Sequence, residues 1–241
     1  MPKSFHHFGS AAFLGGVREA LGVPAAAVAA GFIGFGAFAS ASGVSIWFAT
    51  VSTMAIWALP GQLVLVDMWQ IGAPMIAVML AVMLTNARFL PMTLTLLPLL
   101  RDRSHPQWRY YFAAHLVAMT SWAVCMRRCP AMPRPGRLVY LAGFTLTCMA
   151  AGMVAVVTGY LIAGSIPVPV QLGLLFLTPV YFCVLLIGEA QSRLAAIALA
   201  CGGLAGPLFY LLSPQWSVLL AGFAGGSAAF AIHKALRRSH A

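Results

Sequence analysis

Acidic residues are almost missing from this chain. Glu19, Asp67, Asp102 and Glu189 are the only four in 241 residues, and charged side chains of both signs make up 7% of the sequence. Soluble domains carry about 25%, so a water-covered globular surface is excluded. Four scattered acids offer no carboxylate pair for hydrolysis. There is also no H-E-x-x-H, no G-x-S-x-G and no glycine-rich nucleotide loop. The sequence therefore predicts neither an enzyme nor an ATP-driven pump, and it calls for no cofactor. Cysteine is sparse too. Cys125, Cys129, Cys148, Cys183 and Cys201 lie in or beside apolar runs, with no metal-ligand spacing, and they read as small packing residues. The stretch from Lys3 through His6 and His7 to Phe13–Gly16 lacks the apolar core of a signal peptide and is expected to be retained.

What the chain does have is apolar length. It is 61% hydrophobic, with a formal net charge of +10. In a soluble protein such a charge suggests nucleic acid. Here the bases sit between apolar runs and at the termini, as cytoplasmic anchors do. A spanning helix needs about 20 apolar residues. Runs of this kind fall at 21–41, 46–68, 73–99, 109–126, 138–160, 170–188, 194–212 and 216–233. They predict an all-α polytopic transmembrane bundle of seven or eight spans and a single membrane domain. That domain has an N-terminal segment (1–20), the bundle (21–233) and a basic cytoplasmic tail (234–241). The 109–126 run decides the count. If it spans, the Arg101–Arg109 and Arg127–Arg137 stretches face opposite sides. If it does not, they share one side. Either count leaves the C-terminus in the cytoplasm. A weak internal repeat pairs Gly34–Gly43 and the run carrying Pro60 with Gly159–Gly164 and the run carrying Pro179. Repeats of this sort build secondary transporters, although Gly and Pro are frequent in any membrane helix.

Polar groups at membrane depth must be paired, wetted or functional. Ala58-Leu59-Pro60-Gly61-Gln62 combines a helix breaker with an amide, and Pro60 is expected to free the carbonyl of Ile56. Thr85-Asn86-Ala87-Arg88-Phe89-Leu90-Pro91 places an arginine deep in the third run, with Pro91 expected to free the carbonyl of Ala87. A guanidinium does not shed its proton, so Arg88 must meet a substrate carboxylate, a carbonyl cluster, water, or an internal acid such as Asp67 or Glu189. Gly31–Gly36 allows either close helix packing or local unwinding. His115, Asp67 and Glu189 are the candidates for proton or ion coupling. The alternatives to a binding site are a hydrogen-bonded kink, a snorkelling arginine and plain packing.

At these residues the chain resembles the AzlC-type permeases. Gly34-Phe35-Gly36 stands at the family's P-F-G element, Thr53 at the usual serine, Ala58–Gln62 at A-G-x-x-Q and Asn86–Phe89 at N-x-R-H. In the second half, Leu172-Gly173-Leu174 and Thr178–Phe182 follow the family's L-G-L-D-F run and its later Pro and Phe. The acids that the family often carries near the fourth helix and in L-G-L-D-F are absent. His115–Thr120 and Leu175 stand there instead. The resemblance implies a secondary transporter of the bacterial inner membrane that exports a branched-chain amino acid with a small AzlD-like membrane partner. Arg88 is expected to hold the carboxylate, Asn86 and Gln62 to supply hydrogen bonds, and Met54, Met83 and Met92 to receive an aliphatic tail. Pro60, Gly61, Gly34, Gly36 and Thr53 complete the expected translocation site. The alternative is a non-transporting membrane scaffold for a partner protein.

Overall fold

The computed structural model describes residues 3–102, 105–165, 167–176, 180, 193–212 and 217–238. Glu189, Pro179 and the rest of 181–192 lie outside them. The described residues are helical throughout, as the composition predicts. The chain divides into two units, residues 1–182 and 183–241.

In the first unit, α1 (Lys3–Ala20) precedes α2 (Val23–Ala41), which opens with Pro24 in its first turn, where a missing N–H costs nothing. Ser45 then caps α3 (Ile46–Ile56) by accepting the Phe48 N–H at 3.2 Å. α4 (Leu59–Gln70), α5 (Met75–Asn86), α6 (Phe89–Leu100), α7 (Trp108–His115), α8 (Met119–Arg128) and α9 (Arg134–Leu161) follow. The helical residues 168–176 form α10. In the second unit, α11 (Arg193–Leu212) and α12 (Ser217–Arg238) pack on each other with Gly225 over Gly202. The helix of α12 runs well into the stretch expected to be a tail.

The apolar run at 46–68 is a crossing candidate with an expected break at Pro60, and the run at 109–126 is the one whose crossing the sequence leaves open. Neither is one helix. In the first, Trp57 adopts a left-handed conformation (φ 46°, ψ 38°) and Ala58 is extended, so the chain turns back. Gln62 of α4 then reaches Thr53 and Ser52 of α3, and the Trp69 and Phe48 rings meet at 5.3 Å between centroids, tilted by 40°. α3 and α4 are thus an antiparallel hairpin that starts and finishes at one end of the bundle. In the second, the chain reverses through Leu116–Ala118. α8 runs beside α6, with Trp122 Nε1 donating to Thr95 at 3.0 Å. His105 ahead of α7 donates to the Pro135 carbonyl, and Arg137 to that of Leu99. Both arginine-rich stretches therefore share one end, and α7–α8 is a hairpin entering from it.

Among the described residues, the helices long and apolar enough to cross a membrane are α2 and α9, joined by the pair α5–α6 if that pair, bent by 52° at Ala87–Arg88, is one span. An apolar run has the same length whether the chain continues or folds back, so hydropathy alone does not separate the two.

Pro60 lies in the first turn of α4, downstream of the break, and at the end of α3 the Met54 carbonyl takes its donor from α7. The expectation for Pro91 is corrected. The Ala87 carbonyl accepts the Leu90 N–H at 3.0 Å, so Pro91 does not leave it free.

Glycines set how closely the crossing helices approach. A methyl on Gly36 would overlap the Val156 carbonyl of α9, and one on Gly159 would overlap the Ile33 carbonyl of α2. Backbone meets backbone at this crossing. The two glycine-rich ends that the sequence pairs as a repeat are in mutual contact. α1 crosses α9 in the same way through Gly16 and Gly143.

At the basic end, Glu19 accepts from Arg128 at 3.0 Å, Arg127 at 3.5 Å and the Tyr140 hydroxyl at 2.6 Å. Burial pushes this carboxyl up, but the bonds from Tyr140 and Arg128 and the two guanidinium charges outweigh it and hold it below its ordinary value. A depressed carboxylate stabilises the fold above the unfolded pKa of about 4.3 and loses that contribution as pH falls through the folded value. Glu19→Gln is therefore expected to lower the melting temperature in detergent at pH 7. The difference from wild type should vanish once the buffer is more acidic than that folded value.

Candidate functional site

The tips of the two opposed hairpins meet at the bend of α5–α6. Between them lies a small cleft with a cavity volume of about 60 Å³. Trp57, Ala58, Leu59 and Pro60 of the first tip line it, with Ala118, Met119 and Thr120 of the second, Arg88 and Phe89 of the bend, and Val28 and Phe32 of α2. The walls are mainly apolar, as in small-molecule sites.

The polarity of the tips is one-sided. α4, α6 and α8 all begin at this cleft, and their N-cap residues are Ala58, Arg88 and Ala118, none of which caps through its side chain. Three positive helix ends are therefore gathered at one place, although the Leu90 N–H of α6 is held by the Ala87 carbonyl and the Ala118 N–H of α8 by Ser121 Oγ. The carbonyl ends that share the tips are covered instead. His115 Nε2 donates to the Met54 carbonyl at 3.0 Å. Thr145 of α9 and Ser121 both donate to the Leu116 carbonyl at 3.1 Å. Arg88 adds a full charge. It is half-buried, lies 5.3 Å from the centroid of the Phe89 ring, and meets no carboxylate among the described residues. Such an arrangement can receive a small anion with an apolar remainder.

Beside the cleft, three buried polar atoms have no partner: Trp57 Nε1, Gln62 Oε1 and Asn86 Oδ1. The orientation of Gln62 follows from its neighbours. The Ser52 and Thr53 hydroxyls both donate to the Ala49 carbonyl, at 2.8 and 2.9 Å. They are left as acceptors and take the Gln62 Nε2 protons, at 3.3 and 2.8 Å. Its oxygen is left over. Asn86 packs its amide directly on Gly61, where a methyl would come within 2.6 Å of Nδ2. Orphaned buried acceptors are rare and call for an explanation. Gln62→Leu is thus expected to leave membrane abundance unchanged and thermal stability equal or higher, because both hydroxyls keep their carbonyl partner, while flux falls. Lower stability together with lower flux would make Gln62 a structural residue.

The predicted residues divide as follows. Arg88 and Pro60 line the cleft. Thr53, Gln62, Gly61 and Asn86 form the layer behind it. His115, exposed on α7, covers a tip carbonyl. Gly36 is taken up by α9 and Gly34 by α10, where a methyl would meet Leu175 at 2.8 Å. Asp67 is exposed in the second half of α4, away from the cleft. Met54 and Met83 are exposed, at 58% and 66%, and the methionine at the cleft is Met119. Trp57 and the second tip were not foreseen. Thr120-Ser121 within an apolar run is the one signal that marks that tip.

The family model described as AzlC protein matches residues 24–166. No curated protein and no solved structure matches. The matched segment begins in α2 and runs through α9. It contains both hairpins, the bent pair and every residue that lines the cleft, whereas the second-half resemblance at Leu172–Phe182 lies beyond it. On this match, which covers more than half of its length, the chain belongs to the AzlC protein family.

Proposed function

We propose that this membrane transport protein exports a small branched-chain amino acid across the bacterial inner membrane, together with a small membrane partner subunit. The observation that carries the proposal is the convergence, on one apolar-walled cleft, of three helix N-termini without side-chain caps from their N-cap residues and of Arg88, which meets no carboxylate among the described residues. A carboxylate is the part of an amino acid that such a site reads. The Val28, Phe32, Leu59 and Met119 side chains suit an aliphatic tail. The orphan oxygens of Gln62 and Asn86 suit the ammonium, in the absence of the acids that family relatives often carry. Hairpins inserted from opposite ends supply two gates around one site, and displacement of either tip exposes the cleft to one side. The end bearing Arg101, Arg127, Arg128 and Arg134 is taken as cytoplasmic from its charge.

The test is efflux of valine, leucine and isoleucine from dipeptide-loaded cells that lack the protein, express it alone, or express it with its small neighbour. Faster efflux only with both establishes the two-part exporter. Unchanged efflux of every amino acid, with the chain correctly inserted, rejects the proposal.

A further inference from the structure

We infer that Trp57 is a substrate-reading residue, its indole N–H donating to the same carboxylate that Arg88 holds. The inference rests on the carboxylate reading above. Trp57 is the only non-glycine residue with positive φ among those described. A bulky side chain is strained there. The residue is also 5% exposed, and its Nε1 has no hydrogen-bond partner. Two penalties fall on one residue, and either is easily avoided. Glycine would relieve the backbone, and phenylalanine would remove the orphan donor.

Packing explains the ring but not the nitrogen. The indole stacks on Phe32 at 5.6 Å with 6° between planes. Its far edge, Cζ3 and Cη2, lies against Gly152 of α9, at 3.2 and 3.5 Å from where a methyl would stand. In an indole, Nε1 is across the bicycle from Cζ3, so the N–H faces away from α9. The same residue lines the cleft with Arg88, Ala58 and Pro60. A buried donor without an acceptor, beside an uncapped helix N-terminus and a guanidinium that meets no carboxylate among the described residues, belongs to an anion site that a ligand completes.

The test uses purified protein, with its partner if transport requires one, and two probes. L-leucine carries the carboxylate, and leucinol carries a hydroxymethyl group in its place. Wild type is expected to prefer leucine. Trp57→Phe keeps the stack on Phe32 and is expected to weaken leucine binding about tenfold to a hundredfold, with leucinol binding and the melting temperature little changed. Replacing Trp57 by 3-benzothienylalanine, which keeps the bicycle and lacks the N–H, should give the same loss should Phe disturb the stack. Leucine binding equal to wild type in these variants overturns the Trp57 role and leaves the cleft standing. A wild type that does not distinguish leucine from leucinol, or binds neither, overturns the carboxylate reading and this inference with it.

Discussion

Arg88→Ala is expected to cut initial efflux at least a hundredfold while the protein stays in the membrane at normal levels. The guanidinium is half-buried at the bend of α5–α6, has no carboxylate partner among the described residues, and is held only over the Phe89 ring. Burying a charge without a counter-charge is unfavourable to the fold, so its removal should not destabilise it. What is lost is the forked, charge-assisted bond to a carboxylate, worth about 1.5–3 kcal/mol in binding, and the orientation that fork imposes on the moving ligand. Arg88→Lys keeps the charge and loses the fork. It is expected to restore a minor part of the flux. Efflux normalised to membrane abundance is the measurement. A fall in abundance that matches the fall in flux would show that Arg88 serves the fold.

Gly159→Ala and Gly36→Ala are expected to destabilise the protein, by about 1–3 kcal/mol or more. At either position the new methyl meets a carbonyl of the facing helix, and backbone cannot rotate aside as a side chain can. α2 and α9 would have to separate, and both wall the cleft region, through Phe32 and through Gly152 under Trp57. Gly222→Ala in α12 is the contrast. Among the described residues nothing lies within 4 Å of its methyl, and a helical Gly→Ala gains up to about 1 kcal/mol of propensity. Melting temperatures in detergent should therefore fall for the first two variants and hold or rise for the third. Equal shifts in all three would mean that helix propensity, not the crossing of α2 and α9, governs the effect.

Much of the site was legible from residues whose presence in lipid is unfavourable. Arg88, Gln62 and Asn86 stood out for that reason, and the structure gathers them at or behind one cleft. Pro60 and Gly61 marked the right loop, one turn late. The hairpins were not legible. Residues 46–68 are apolar enough to cross, residues 109–126 are a weaker run interrupted by His115, Thr120 and Ser121, and the reversal at Trp57 carries no local signal, since tryptophan is among the residues least expected with positive φ. Gly34 and Gly36 permitted either unwinding or close packing, and the facing helices α9 and α10 settled it as packing. Met54 and Met83 followed the apolar pattern, which states that a side chain avoids water and not which neighbour it finds.

The contact between His115 and the Met54 carbonyl has a consequence for biosynthesis. The chain emerges N-terminal end first, and the first hairpin is complete at Gln70. Its tip carbonyl receives its donor from a residue 61 positions later, and the second tip is pinned only when Thr145 of α9 arrives. The halves of the site are therefore made at different times and from opposite faces of the membrane. The cleft is complete only once α9 has been made, and a nascent chain that ends before α9 holds its ingredients without the site.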